Sequence, residues 1–138
     1  MKTKQAIIIR SDLRNQNGQK IRTGKIAAQA CHASMAALLS CFRKYKTSDD
    51  TTIYQTEFGA NSVLNDWLNG LFTKVCVSVD SLDQLNAIYE SVPDDIPKSI
   101  IKDAGLTEFN GVETITCACI GPWDSEEIDK FTGNLKLL

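Results

Sequence analysis

Lys25, Gln29 and His32 occupy positions i, i+4 and i+7 of the run Thr23-Gly24-Lys25-Ile26-Ala27-Ala28-Gln29-Ala30-Cys31-His32-Ala33. In a helix, that spacing stacks an ammonium, a carboxamide and an imidazole on one face. The opposite flank is mostly small residues, so the helix can lie close to a sheet while the three polar groups point at one spot, as at the edge of an active site. Asp103-Ala104-Gly105-Leu106-Thr107 is a second constellation. Gly105 permits a sharp turn after a strand end, which leaves a carboxylate in a loop facing a cleft. Combined with Lys25, Gln29 and Thr116, Asp103 supplies the acid–base or water-positioning group of a hydrolytic site.

Two other chemistries fit poorly. A phosphate-binding loop needs four residues between its glycines and a Ser/Thr after the lysine. Here five residues separate Gly18 from Gly24, and Ile26 follows Lys25. What survives is a weaker anion site, made of the amides at the helix start with Lys25 and Arg22. The five cysteines, at 31, 41, 76, 117 and 119, form no C-x-x-C pair, and His32 is the one histidine. Metal-ligand spacing is absent, so no metal and no other cofactor is expected, and the thiols are expected reduced. Cys31 and His32 diverge by about 100° on a helix, which argues against a Cys–His nucleophile. Cys76, Cys117 and Cys119 read as small buried strand residues.

Charge is divided unevenly along the chain. Residues 1–46 carry ten Lys/Arg and one acid, Asp12, a net of +9, whereas residues 47–138 carry five against sixteen, a net of −11. The basic excess surrounds the candidate site and suits a polyanionic partner. No apolar run approaches the roughly 18–20 residues of a membrane span. The apolar run after Met1-Lys2-Thr3-Lys4-Gln5 is too short for the core of a signal peptide, so the expected setting is intracellular.

The elements that must hold these groups alternate between strand and helix. Ala6-Ile7-Ile8-Ile9 reads as a central strand, and Ser11 to Thr23 as a loop. Thr23 is expected to cap a helix reaching about Tyr45, with six alanines between 27 and 37 supporting it. Thr47 to Gly59 reads as a surface excursion. Asn61 or Ser62 opens a short helix with an apolar stripe of Val63, Leu64, Trp67, Leu68 and Leu71. Lys74 to Val79 is a strand, and the capping-box spacing Ser81-Leu82-Asp83-Gln84 opens a helix to about Ser91. Ser99-Ile100-Ile101 is a short apolar run. Glu113 to Ile120 alternates, with Thr114, Thr116, Ala118 and Ile120 on one side and Ile115, Cys117 and Cys119 on the other. Gly121-Pro122 is expected to end that strand, Asp124 to cap a last helix, and Gly133 to stop it. The pattern predicts one α/β domain over residues 1–138, a three-layer α/β/α sandwich around a small mixed sheet of about four strands.

Gly24-Lys25-Ile26-Ala27-Ala28-Gln29 with His32-Ala33, then Asp103-Ala104-Gly105-Leu106-Thr107, Thr116, Ile120-Gly121-Pro122, Ile128-Asp129-Lys130 and Thr132-Gly133-Asn134-Leu135-Lys136-Leu137 follow one another along nearly the whole chain. In that order they resemble the archaeal/eukaryotic-type peptidyl-tRNA hydrolases, the second class of these enzymes. The resemblance implies hydrolysis of the ester joining a peptide to the 3′ end of tRNA, by a compact cytoplasmic domain, often a homodimer, that uses no metal. It implies catalytic roles for Lys25, Gln29, Asp103, Thr107 and Thr116, with Thr114 as the alternative to Thr116. Glu108 departs from the family's usual glutamine, and the segment Thr47 to Ala60 is longer than the family leads one to expect. Under this reading Arg14, Lys20, Arg22, Arg43, Lys44 and Lys46 hold acceptor-stem phosphates by shape, and His32 adjoins the substrate. Either Asp103 deprotonates a water or it orients one, while Lys25 and Gln29 stabilise the oxyanion or the departing ribose oxygen. The alternative is a non-catalytic tRNA- or protein-binding module of the same fold.

Overall fold

The computed structural model describes residues 2–105, 109 and 111–138. The β-branched run at Ile7-Ile8-Ile9 forms the middle of β1 (Thr3–Arg10), which is paired on both sides. Among the described residues, seven strands and four helices follow the chain order β1, α1 (Thr23–Leu39), β2 (Arg43–Lys46), β3 (Thr52–Gln55), α2 (Val63–Leu68), β4 (Lys74–Val79), α3 (Leu82–Ser91), β5 (Lys98–Asp103), β6 (Thr114–Asp124), α4 (Ser125–Thr132) and β7 (Lys136–Leu137). The main sheet has the order β5-β6-β1-β4-β7. β4 runs parallel to β1, whereas β6 lies antiparallel to both β1 and β5, and β7 antiparallel to β4. The sheet is therefore mixed, with five strands rather than four. The fifth, β7, is two residues long and too short to show any alternation.

Alternate residues of β1 feed the two layers. Ile7 and Ile9 join Cys117 and Cys119 under Ala33 and Ala37 of α1, all of them buried. Alanine at those helix positions is what lets α1 sit close to the strands. Ala6 and Ile8 face the other way with Ala118 and Ile120, beneath Leu85 of α3 and Ile128 of α4. A fully buried amide ties α1 to the sheet: Gln5 donates to Ser34 O (3.1 Å) and Gly121 O (3.3 Å) and accepts from Ser34 Oγ (2.5 Å). With each polar atom partnered, this burial is tolerated.

Several boundaries differ from the sequence expectation. α1 stops at Leu39 instead of continuing to Tyr45, because Ser40 Oγ takes the Ala37 carbonyl (2.6 Å) and the last turn tightens through Cys41 N to Leu38 O and Phe42 N to Leu39 O. Its N-cap position is Arg22, and no side chain caps it, so Thr23 does not play that part. Arg43-Lys44-Tyr45-Lys46 is a strand paired with β3, in place of the helix end and the surface excursion that the sequence led us to expect there. All four β2 residues are exposed, so there was no apolar alternation to betray it. α2 is capped by Ser62 and buries Trp67, whose indole N–H donates to Thr73 O (2.8 Å), while Leu71 lies outside the helix and 94% exposed. β6 continues through Gly121-Pro122 to Asp124, re-pairing Trp123 with Lys4 across a register shift, and Asp124 then caps α4 as expected.

Candidate active site

Asp103 is the last residue of β5, at the point where the first turns of α1 pass over the sheet. Both of its oxygens are engaged. Oδ1 accepts from Lys25 Nζ (2.9 Å) and from Gln29 Nε2 (3.2 Å), and Oδ2 accepts from the Gly105 backbone N–H (2.9 Å). Gly105 has φ +79°, and a Cβ there would meet Val112 O at 2.2 Å, so only glycine can turn the chain back onto the carboxylate. The helical spacing of Lys25 and Gln29 thus converges on the D-A-G carboxylate, as the sequence led us to expect.

Thr116 completes the chain of contacts, by a route that strict alternation conceals. Ile101 pairs with Cys117 and Lys102 with Ile115, leaving Thr116 as the extra residue of a β-bulge on β6. The bulge reverses the expected sides: Ile115 packs with Ala118 and Ile120, whereas Thr116 turns toward α1. There its hydroxyl donates to Gln29 Oε1 (2.7 Å). That bond leaves the carboxamide N–H group aimed at Asp103, fixing which way round the amide sits. Thr114, the alternative, instead donates to Val112 O (2.9 Å).

The Lys25 and Asp103 side chains are 14% and 13% exposed. Burial works to raise the Asp103 pKa, but the hydrogen bond from Lys25, the Gly105 N–H, the Lys25 charge and the Gln29 amide outweigh it, and the carboxyl titrates below its ordinary range. Asp103 is therefore an ionised anchor at neutral pH. Next to it, Ile9, Leu13, Ile21, Ile26 and Phe109 wall a pocket that Lys25, Gln29 and Thr116 also line, with about 280 Å³ of empty space counting the part open to solvent. The Phe109 ring centre lies 6.0 Å from Lys25 Nζ.

The remaining predicted residues fall elsewhere. His32 is exposed, and the bonds among Lys25, Gln29, Asp103 and Thr116 are completed without it. Thr107 and Glu108 lie outside the described residues. Arg14, Lys20 and Arg22 are exposed in the segment between β1 and α1, where Arg14 and Lys20 form a bridge. Arg43, Lys44 and Lys46 are exposed on the β2–β3 hairpin, beyond the far end of α1 and about 20 Å along its axis from Lys25. Among the described residues no group of three or more His, Cys, Asp or Glu is arranged to hold a metal ion, and no helix is long and apolar enough to cross a membrane. Sequence reasoning missed Phe109 and the Gly105 amide, because a lone aromatic and a backbone donor carry no motif.

A family model described as "Peptidyl-tRNA hydrolase PTH2" matches residues 3–138. A peptidyl-tRNA hydrolase of Methanothermobacter thermautotrophicus is 43% identical over 136 residues, covering 98% of this chain and 99% of its own. Those of Sulfurisphaera tokodaii and Thermococcus sibiricus are 37% and 38% identical, the first covering 100% of both chains, the second 99% of this one and 98% of its own. The chain belongs to the peptidyl-tRNA hydrolase PTH2 family. Among solved structures, a protein of unknown function from Agrobacterium tumefaciens strain C58 shares the fold, with a TM-score of 0.50 at 14% identity over 100% of this chain and 98% of that one.

Proposed function

We propose that this protein hydrolyses the ester between a peptide, or an N-blocked aminoacyl group, and the 3′ end of tRNA. The observation that carries this reading is the convergence of Lys25 and Gln29 on Asp103 beside an apolar-walled pocket, in a chain matched along nearly its whole length by relatives named for that activity. Water adds to the ester carbonyl, the bond from carbon to the ribose oxygen then breaks, and the ribose oxygen takes up a proton. Lys25 and the Gln29 N–H group compensate the charge that grows on oxygen during both steps. Asp103 holds these donors in place and orients the water. With its lowered pKa it is a weak base, which accepts the water's proton only as the new bond makes that proton acidic. Thr116 acts through Gln29, and Thr107 belongs to the same set.

Substrate binding rests on the basic half. Arg14, Lys20 and Arg22, exposed in the segment leading into α1, hold phosphates nearer the ester, and Arg43, Lys44 and Lys46, exposed on the hairpin, hold those farther from it. His32, exposed on the same helix face, adjoins the path between them. A tRNA ester as substrate supports a cytoplasmic setting. The test is incubation with N-acetylated aminoacyl-tRNA: free tRNA and the acid are the expected products, and retention of the intact ester would instead favour a non-catalytic binding module.

A further inference from the structure

Arg10 ends β1, and its side chain is only 12% exposed. The guanidinium is used on every nitrogen: Nε and Nη2 donate to the two oxygens of Asp12 (3.0 and 2.7 Å), and Nη1 donates to the backbone carbonyl of Ile115 (2.9 Å). Ile115 immediately precedes the extra residue of the β6 bulge. Ile9 with Cys117 is the pair next to this end of the β1–β6 ladder, so beyond it the Arg10 fork takes over from the strand. The bulge in turn sets Thr116 against Gln29, and Gln29 against Asp103.

We propose that Arg10, gripped by Asp12, is a positioning residue that holds the β6 bulge and thereby the orientation of the Gln29 carboxamide. This rests on the hydrolytic reading of the site and adds a residue to it. A bulge is a local interruption of the ladder, with fewer strand bonds to fix it than a regular register has. A planar, always-charged fork bonded on both sides fixes it where a flexible ammonium would not. Arg10 also lines the site pocket, but three of its five N–H groups are committed within the protein and the side chain is largely covered, which favours a positioning role over a direct grip on substrate phosphate.

The test is a double-mutant cycle of Arg10→Ala with Thr116→Val on N-acetylated aminoacyl-tRNA, alongside Arg10→Lys and the milder Asp12→Asn in case the alanine variant does not fold. Arg10→Ala and Arg10→Lys should each lower kcat about tenfold with KM and the salt dependence unchanged, Asp12→Asn should lower kcat less, and the double variant should be no slower than the worse single one. Independent of turnover, the side-chain amide proton signals of Gln29 in the NMR spectrum should move in the Arg10 variants as they do in Thr116→Val. Effects that multiply in the cycle, a rise in KM with a shallower salt dependence, or unmoved Gln29 amide signals would each overturn the proposal. Absence of hydrolysis by the unaltered protein would overturn the catalytic reading instead, and the amide signals would still decide the role of Arg10.

Discussion

Lys25 Nζ lies 2.9 Å from Asp103 Oδ1 although the two are 78 positions apart in the chain. One sits in the first turns of a helix and the other at a strand end, and the close seat of α1 on Ile7, Ile9, Cys117 and Cys119 brings them together. The Gln29 amide shares the same oxygen. An ammonium and an amide N–H group held on one carboxylate, mostly out of water, need little rearrangement when negative charge appears beside them.

The pH dependence follows from the lowered Asp103 pKa. A depressed carboxylate stabilises the fold fully above its ordinary value of 3.8, and that contribution is lost as pH falls through the lower folded value. Asp103 therefore contributes no inflection to kcat/KM above about pH 5. Thermal melts should show the stability difference between the unaltered protein and Asp103→Asn shrinking as the pH drops below 3.8. A difference that stays constant with falling pH contradicts the ionised-anchor role.

Gln29→Glu places a second carboxylate against Asp103 while keeping the length of the side chain. Like charges at hydrogen-bond distance raise a carboxyl pKa, so the variant should lose activity at neutral pH and regain part of it as the medium is made more acidic. A pH–rate profile parallel to that of the unaltered protein would show that the carboxamide is not bonded to Asp103 during turnover.

The site was more legible than its setting. Lys25, Gln29 and Asp103 could be read directly, because helix spacing and a glycine turn express the same geometry in sequence that they adopt in space. Thr116 was read on the wrong face, since a bulge adds one residue without leaving any compositional mark. His32 shares the helical spacing of Lys25 but is exposed, and periodicity cannot report how far a partner surface extends. The β2–β3 hairpin escaped because β2 is exposed throughout and β3 is half-buried at only two of its four residues, which leaves too little apolar alternation to identify a strand. The continuous core strands β1 and β4 and the capped starts of α2, α3 and α4 were legible for the opposite reason, as burial and caps select residue types strongly.

Replacing Arg43, Lys44 and Lys46 together by glutamine removes three exposed cations from the hairpin. If these contact tRNA phosphates, the slope of log affinity against log salt should become shallower by about 2–3. KM should rise at low salt with kcat unchanged. A filter-binding series across salt concentrations that shows an unaltered slope removes the hairpin from the tRNA path.

Thiol chemistry should leave catalysis untouched. Burial pushes the Cys117 thiol up to about 11 and raises Cys119 further still, and both side chains are fully covered, whereas Cys31 is exposed. Iodoacetamide should label Cys31 in the native protein and reach Cys117 and Cys119 only after denaturation. Cys31→Ser should retain kcat within about twofold, and a large loss would revive a role for this thiol.

Single-turnover hydrolysis of N-acetylated aminoacyl-tRNA by Lys25→Ala tests the core of the mechanism most directly. Loss of a donor to the developing oxyanion typically costs about 2.7–4 kcal/mol of transition-state stabilisation, so the rate should fall by about 100- to 1,000-fold while tRNA binding stays within a few-fold. Cleavage by this variant at the rate of the unaltered protein would mean that the Lys25–Asp103 pair holds the fold together and has no part in breaking the ester.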